Sequence, residues 1–167
     1  MPVTNETFRV PKVGVRASVH LAGGGKMEVV LYLSDRAPMH DGPEQISDLL
    51  TSDAGFLPVR DLGSDRVTLL RREAIMAVSV SGDYAGSEER EPGEIGAGTD
   101  TITEEVEAIL AGGARLRGRI RYAMPEGQRR LQDYLNLPEP LVFLREDAEL
   151  RILCKRWVAS IGVQNVS

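Results

Sequence analysis

The chain has 167 residues, 42% hydrophobic and 27% charged, with a net charge of −5 and a pI near 5.1, a composition ordinary for one medium soluble domain or two small ones with a real core. No apolar run approaches the roughly 18 residues that span a bilayer, so no membrane partner is expected. Cys154 is the only cysteine, which excludes an internal disulfide, and Met1–Glu6 has neither the basic start nor the apolar centre of a secretion signal, so a cytoplasmic location is expected.

Residues 1–14, interrupted by Pro2, Pro11 and Gly14, read as an N-terminal arm. From Val15 the residues alternate: Val15, Ala17, Val19 and Leu21 face one way, Arg16, Ser18 and His20 the other, the period of a half-buried strand. Ala22-Gly23-Gly24-Gly25 is a tight turn, and Met27, Val29, Leu31 and Leu33 carry the chain back, completing a β-hairpin. Ser34–Pro43 is a loop rich in Pro, Asp and Gly. Glu44–Thr51 follows as a short helix with Ile46, Leu49 and Leu50 as its buried stripe. Three β-type runs, Phe56–Arg60, Arg66–Leu70 and Ala74–Val80, complete a unit over 15–80. Five short strands, with one short helix between the second and third, point to a small curled sheet or barrel, because closure removes exposed edges.

Ser81–Glu105 is an acidic, glycine-rich connector, expected to be flexible. Residues 1–80 hold 9 basic and 10 acidic side chains, net −1; residues 81–105 hold 1 and 8, net −7; residues 106–167 hold 10 and 7, net +3. The last segment repeats the first. Leu-Ala-Gly-Gly at Leu21–Gly24 returns at Leu110–Gly113, eighty-nine positions on. Val106, Ala108 and Leu110 match Ala17, Val19 and Leu21, and Leu116, Gly118, Ile120 and Tyr122 match Met27, Val29, Leu31 and Leu33. Arg129–Asn136 is the second helix, and Leu141–Leu144, Glu149–Cys154 and Val158–Val163 are the closing strands. The expected fold is mainly β: two tandem five-stranded barrel-like units, over 15–80 and 106–167. Trp157 stands where the first unit has Ala74, so the two cannot pack identically there.

The run Arg130-Leu131-Gln132-Asp133-Tyr134-Leu135-Asn136 resembles the Arg-Leu-Ser-Asp-Phe-Leu-Asn signature of an uncharacterised family of small bacterial domains. In that family a hairpin precedes the signature and a strand pair follows it. The first unit matches more weakly, since Gln45-Ile46-Ser47-Asp48-Leu49-Leu50-Thr51 lacks the Arg and the Asn. The strand order also resembles small Sm-like barrels, whose usual arrangement has no helix between strands two and three. The resemblance implies a fold and no activity.

Several chemistries lack their residues. There is no phosphate-binding Gly-x-x-x-x-Gly-Lys-Ser/Thr loop, no dinucleotide glycine pattern between strand and helix, and no Cys-x-x-Cys. With two histidines and one cysteine, a zinc site would have to rely on carboxylates, and neither a metal nor a cofactor is expected. Gly23-Gly24-Gly25 and Gly112-Gly113 join strands, so no helix N-terminus faces them. His40 and Asp41 are the only adjacent His and carboxylate; a hydrolase built on them is the third reading, and a solvated loop the simpler one. Asp48 and Asp133 fall at one equivalent position, where the helix macrodipole favours an acid. Cys154 reads as a small core residue.

One constellation carries a sharper expectation. In Arg115-Leu116-Arg117-Gly118-Arg119-Ile120-Arg121 alternate residues of a strand share a face, about 7 Å apart. Arg115, Arg117, Arg119 and Arg121 therefore form a row, with Arg129 and Arg130 close in sequence. Guanidinium groups in a row suit carboxylates or phosphates. The row reads as a solvated strand face, as a docking face for an acidic protein segment, or as a site for nucleic acid or another phosphate ligand. The pI and only eight aromatic residues weigh against nucleic acid. The sequence points to a non-enzymatic module for protein–protein interaction or assembly, with homo-oligomers among its partners. The alternative is a regulator binding an anionic ligand or nucleic acid through the arginines. The acids of 88–94 are expected to screen the row.

Overall fold

Alternating apolar and polar residues build the first hairpin. In the computed structural model, which describes residues 12–37, 40–82, 84, 101–125, 127 and 130–164, β1 (Lys12–Leu21) pairs antiparallel with β2 (Gly25–Ser34), Lys12 opposite Ser34 and Leu21 opposite Gly25. Val15, Ala17, Val19, Val29, Leu31 and Leu33 go to the core while Arg16 stays exposed. Gly23 and Gly25 hold φ of 73° and 71°, the left-handed region that only glycine enters freely. The strand takes in Lys12–Gly14 from the expected arm; the rest of the arm lies outside the described residues.

Helix α1 (Ile46–Thr51) starts two residues later than expected. Gln45 caps it, and its N–H donates to Asp48 Oδ2 at 2.8 Å, an arrangement that satisfies an otherwise unpaired first-turn donor. Ile46 and Leu50 are buried, and the Ile46 N–H donates to the Tyr84 hydroxyl at 2.9 Å. Strands β3 (Phe56–Asp61), β4 (Arg66–Arg71) and β5 (Ile75–Ser81) follow, with a 3-10 turn at Arg72–Ala74 before β5. The chain then gives β6 (Thr101–Leu110), β7 (Arg115–Ala123), α2 (Leu131–Leu135), β8 (Leu141–Glu146) and β9 (Glu149–Cys154). After a 3-10 turn at Lys155–Trp157 it ends in β10 (Val158–Val163). Strand β6 begins five residues before the expected second unit: Glu104 and Glu105, counted with the connector, pair opposite Ile120 and Arg119. The remaining connector, apart from residues 81, 82 and 84, lies outside the described residues, as does the expected screening by residues 88–94.

The ten strands among the described residues join one antiparallel sheet in the order β10-β6-β7-β8-β9-β5-β1-β2-β3-β4. The expected barrels are not closed. To close the first unit β5 would have to meet β4; it lies instead between β1 and β9, with Ala77 opposite Leu153, Val78 opposite Ile152 and Val80 opposite Leu150. Its run Ile75–Val80 is buried on both faces, as a central strand covered on both sides must be. The edges that closure would have removed remain, at β4 and β10.

Among the described residues two apolar clusters make the core. One joins Val15, Val19, Val29, Leu31, Ile46, Leu50, Val78 and Val80 to Leu141, Phe143, Leu150 and Ile152 of β8 and β9. The other gathers Val106, Ala108, Leu110, Leu116, Ile120, Leu131 and Tyr134 with Val142, Leu144 and Leu153. Successive residues of β8 and β9 thus serve opposite clusters. Trp157 packs against both, and its indole N–H donates to the Glu73 carbonyl at 2.9 Å. Ala74, at the matching place in the first half, offers no such side chain.

Candidate functional site: an arginine face and two open edges

Strand β7 alternates as its sequence predicts. Arg115, Arg117, Arg119 and Arg121 are exposed, and Leu116, Gly118, Ile120 and Tyr122 are buried. Glycine at 118 is required by packing, because a Cβ there would stand 2.7 Å from the Leu144 Cβ. The row shares one face but is not a bare cationic stripe. Strand β6 sets Glu107 opposite Arg117 and Glu105 opposite Arg119. Arg117 Nε donates to Glu107 Oε2 at 2.8 Å and Arg115 Nη1 to Glu107 Oε1 at 3.4 Å. The hydrogen bond from Arg117, more than the nearby charges, holds the Glu107 carboxyl below its usual range and raises Arg117. On the other flank Arg119 pairs opposite Arg145 of β8. Arg151 of β9 donates to Glu146 at 2.8 Å and Glu149 at 3.2 Å, and also to the Arg117 carbonyl. A cleft of about 300 Å³ beside the row has Arg117, Arg119 and Arg145 facing Glu105, Glu146 and Asp147. Its charges are mixed.

Arg130 stands apart from the row's ion pairs. It caps α2, and its Nε donates to Asp133 Oδ2 at 3.2 Å, so the Arg and Asp of the signature run bind each other. Arg129 lies outside the described residues. Asp48, at the corresponding place in α1, accepts from Gln45 and stands 2.7 Å from His40 Nε2. His40 Nδ1 lies 3.0 Å from the Asp41 carbonyl oxygen. The carboxylate that pairs with His40 therefore belongs to the helix, and Asp48 and Asp133 both tie down a first turn. Among the described residues no three His, Cys, Asp or Glu side chains gather closely enough to hold a metal ion. Cys154 is buried in the first cluster, and burial pushes its thiol further above neutrality, which suppresses the reactive thiolate.

The sheet's two ends carry a feature the sequence reading missed. Five large apolar side chains are exposed among the described residues: Val13, Phe56, Val67, Leu69 and Val163. Four of them lie on the β3–β4 hairpin or on β10. Val67 is 70% and Leu69 63% exposed; with Phe56 and Pro58 they share one face, since Phe56 pairs opposite Arg71 and Pro58 opposite Leu69. The Arg71 guanidinium lies 5.2 Å from the centre of the Phe56 ring, a cation–π contact. At the far end a groove of about 460 Å³ runs between α2 and β10, walled by Leu131, Leu135, Val142, Val158, Ile161 and Val163. Neither edge strand contains a proline; Arg66 and Arg71 flank β4, and a register shift interrupts β10 between Val158 and Ser160, so charge and a bulge are the only devices against strand addition there. Arg66-Val67-Thr68-Leu69-Leu70-Arg71 gave the signal: apolar residues fall on both faces of the strand, Leu70 inward and Val67 and Leu69 outward. Among the described residues no helix is long and apolar enough to cross a membrane. No protein-family model, curated protein or solved structure matches the chain.

Proposed function

We propose that this chain is a non-enzymatic assembly module that binds protein through the open edges of its sheet. The observation that carries this reading is the pair of edge strands, β4 and β10, each paired on one side alone among the described residues and beside exposed apolar side chains. An exposed edge offers a row of free backbone donors and acceptors, to which a partner adds a strand while side-chain pockets supply selectivity. The reading treats the chain as two diverged copies of one unit. It is supported by the common neighbour order of the halves, β5-β1-β2-β3-β4 and β10-β6-β7-β8-β9. Matching backbone bonds support it too: Ala22 N–H to the Ala74 carbonyl at 2.8 Å, and Ala111 N–H to the Trp157 carbonyl at 2.7 Å. Affinity capture with the wild type and with Val67→Glu/Leu69→Glu tests it. Loss of bound protein in the variant is expected; equal capture by both would remove β4 from the function, and Val163→Glu tests β10 in the same way.

A second reading places an anionic segment against the arginine face. The cleft that brings Arg117, Arg119 and Arg145 together favours it, because guanidinium groups suit carboxylates. Glu105, Glu146 and Asp147 line the same cleft and supply opposite charge. Arg119→Glu should abolish salt-sensitive binding of an acidic peptide, and unchanged binding would leave the row a solvated face.

A further inference from the structure

The seam between β5 and β9 has sequence counterparts at the two open edges. The 3-10 turns ahead of β5 and β10 align the halves, with Ala74 and Trp157 accepting matching bonds and Arg72 and Lys155 each reaching a carbonyl at or just after the helix of its half, Leu50 at 3.2 Å and Leu137 at 2.8 Å. Counting from these turns, Ile161 and Val163 of β10 correspond to Val78 and Val80 of β5. Leu69 and Val67 of β4 correspond to Ile152 and Leu150 of β9. Inside the chain Val78 pairs opposite Ile152 and Val80 opposite Leu150, and all four are buried. Their counterparts are the partly buried Ile161 and three exposed residues, Val163, Val67 and Leu69.

The correspondence extends beyond the two strands. In the first cluster, Ile46, Leu50, Val78 and Val80 are covered by Leu141, Phe143, Leu150 and Ile152. The matching residues of the second half, Leu131, Leu135, Ile161 and Val163, are the walls of the open groove. The residues matching the cover are Phe56, Pro58, Val67 and Leu69, one exposed face of the β3–β4 hairpin. One end of the molecule therefore carries an open groove, and the other carries the residues that correspond to the internal cover.

We infer that the partner at these edges is a second copy of this chain: β4 of one copy adds antiparallel to β10 of the next, Leu69 opposite Ile161 and Val67 opposite Val163. Phe56, Val67 and Leu69 then seat against the α2–β10 groove. The inference rests on the reading of the edges as binding sites and names their occupant. The contact is heterologous, so copies join head to tail and the series ends only if their rotation closes a ring. Arg66 meets Gln164 in this register, so no like charges collide across the new seam.

Sedimentation velocity on the purified full chain, over a range of concentrations, tests the pairing. The wild type should assemble beyond the dimer. Val67→Glu/Leu69→Glu blocks one edge and Val163→Glu the other; each substitutes exposed residues, each should sediment as a monomer, and circular dichroism checks that each is folded. Mixed in equal amounts, the two should give a dimer and nothing larger, because each retains one intact edge. Slower amide exchange in 66–71 and 158–163 as concentration rises would locate the contact independently. A wild type that stays monomeric with concentration-independent exchange overturns self-pairing, as do folded variants that assemble like the wild type or stay monomeric when mixed. If self-pairing fails while capture still depends on Val67 and Leu69 or on Val163, a different protein occupies that edge; if capture is unchanged in both variants, the edge reading itself falls.

Discussion

His20 lies on β1 opposite Ala77 of β5, and its Nδ1 is buried without a hydrogen-bond partner among the described residues. Burial first, and then the charges of Lys26 and Arg151, hold the imidazole below its ordinary value, against a smaller opposing pull from Glu28. The unfolded chain takes up this proton near pH ~6.5, while the folded chain resists it to lower pH. The unfolded state therefore binds more protons in that window. Stability from this group is complete above ~6.5 and is lost as pH falls below it. Thermal unfolding between pH ~7 and ~5 should show a falling midpoint that His20→Asn makes shallower; equal slopes in both proteins would contradict this origin. The alternation around His20 was legible in the sequence, and so was the common face of the four arginines. Glu107 as the clamp on Arg115 and Arg117 was not, because cross-strand pairing depends on register rather than on neighbours in the chain.

At the scale of elements, the hairpins were legible because turn and strands are contiguous. Ala22–Gly25 and Gly112-Gly113 punctuate two runs of the right period, and local chemistry alone decides the pairing. The helices were legible in place and shorter in extent, since Gln45 and Arg130 turned out to be caps. Acidic character misled at β6: Glu104 and Glu105 look like connector, yet Glu104 accepts from the Tyr122 hydroxyl at 2.9 Å and Glu105 takes its place opposite Arg119. Gly118 shows how tightly one of these elements is held. An added methyl would press on Leu144 and approach the Arg145 backbone at 3.3 Å, and overpacking of this kind costs about 1–3 kcal/mol. Gly118→Ala should lower the denaturant midpoint accordingly; an unchanged midpoint would mean that β7 and β8 separate without cost.

For the whole molecule the decisive contact is β5 against β9, which local periodicity cannot reveal because its strands belong to different halves. Closure into barrels was a reasonable way to dispose of edges, and the chain instead spends one edge of each half on the other half. Ile152 is fully buried in the first cluster although its strand lies in the second half. Ile152→Ala should therefore destabilise by about 2–5 kcal/mol and do so for both halves together, giving coincident transitions by Trp157 fluorescence and by circular dichroism. Separate transitions would show that the seam does not couple them. The same seam has a consequence for synthesis. β5 is complete at Ser81, but β9 begins only at Glu149, so at ~5–20 residues per second the ribosome leaves a strand made to be buried on both faces waiting several seconds for its neighbour. During that delay a nascent first half presents both β4 and an unfilled β5, and neighbouring nascent chains can complete each other wrongly. Slow codons placed between 82 and 148 should cost more folded protein than the same codons placed after Cys154.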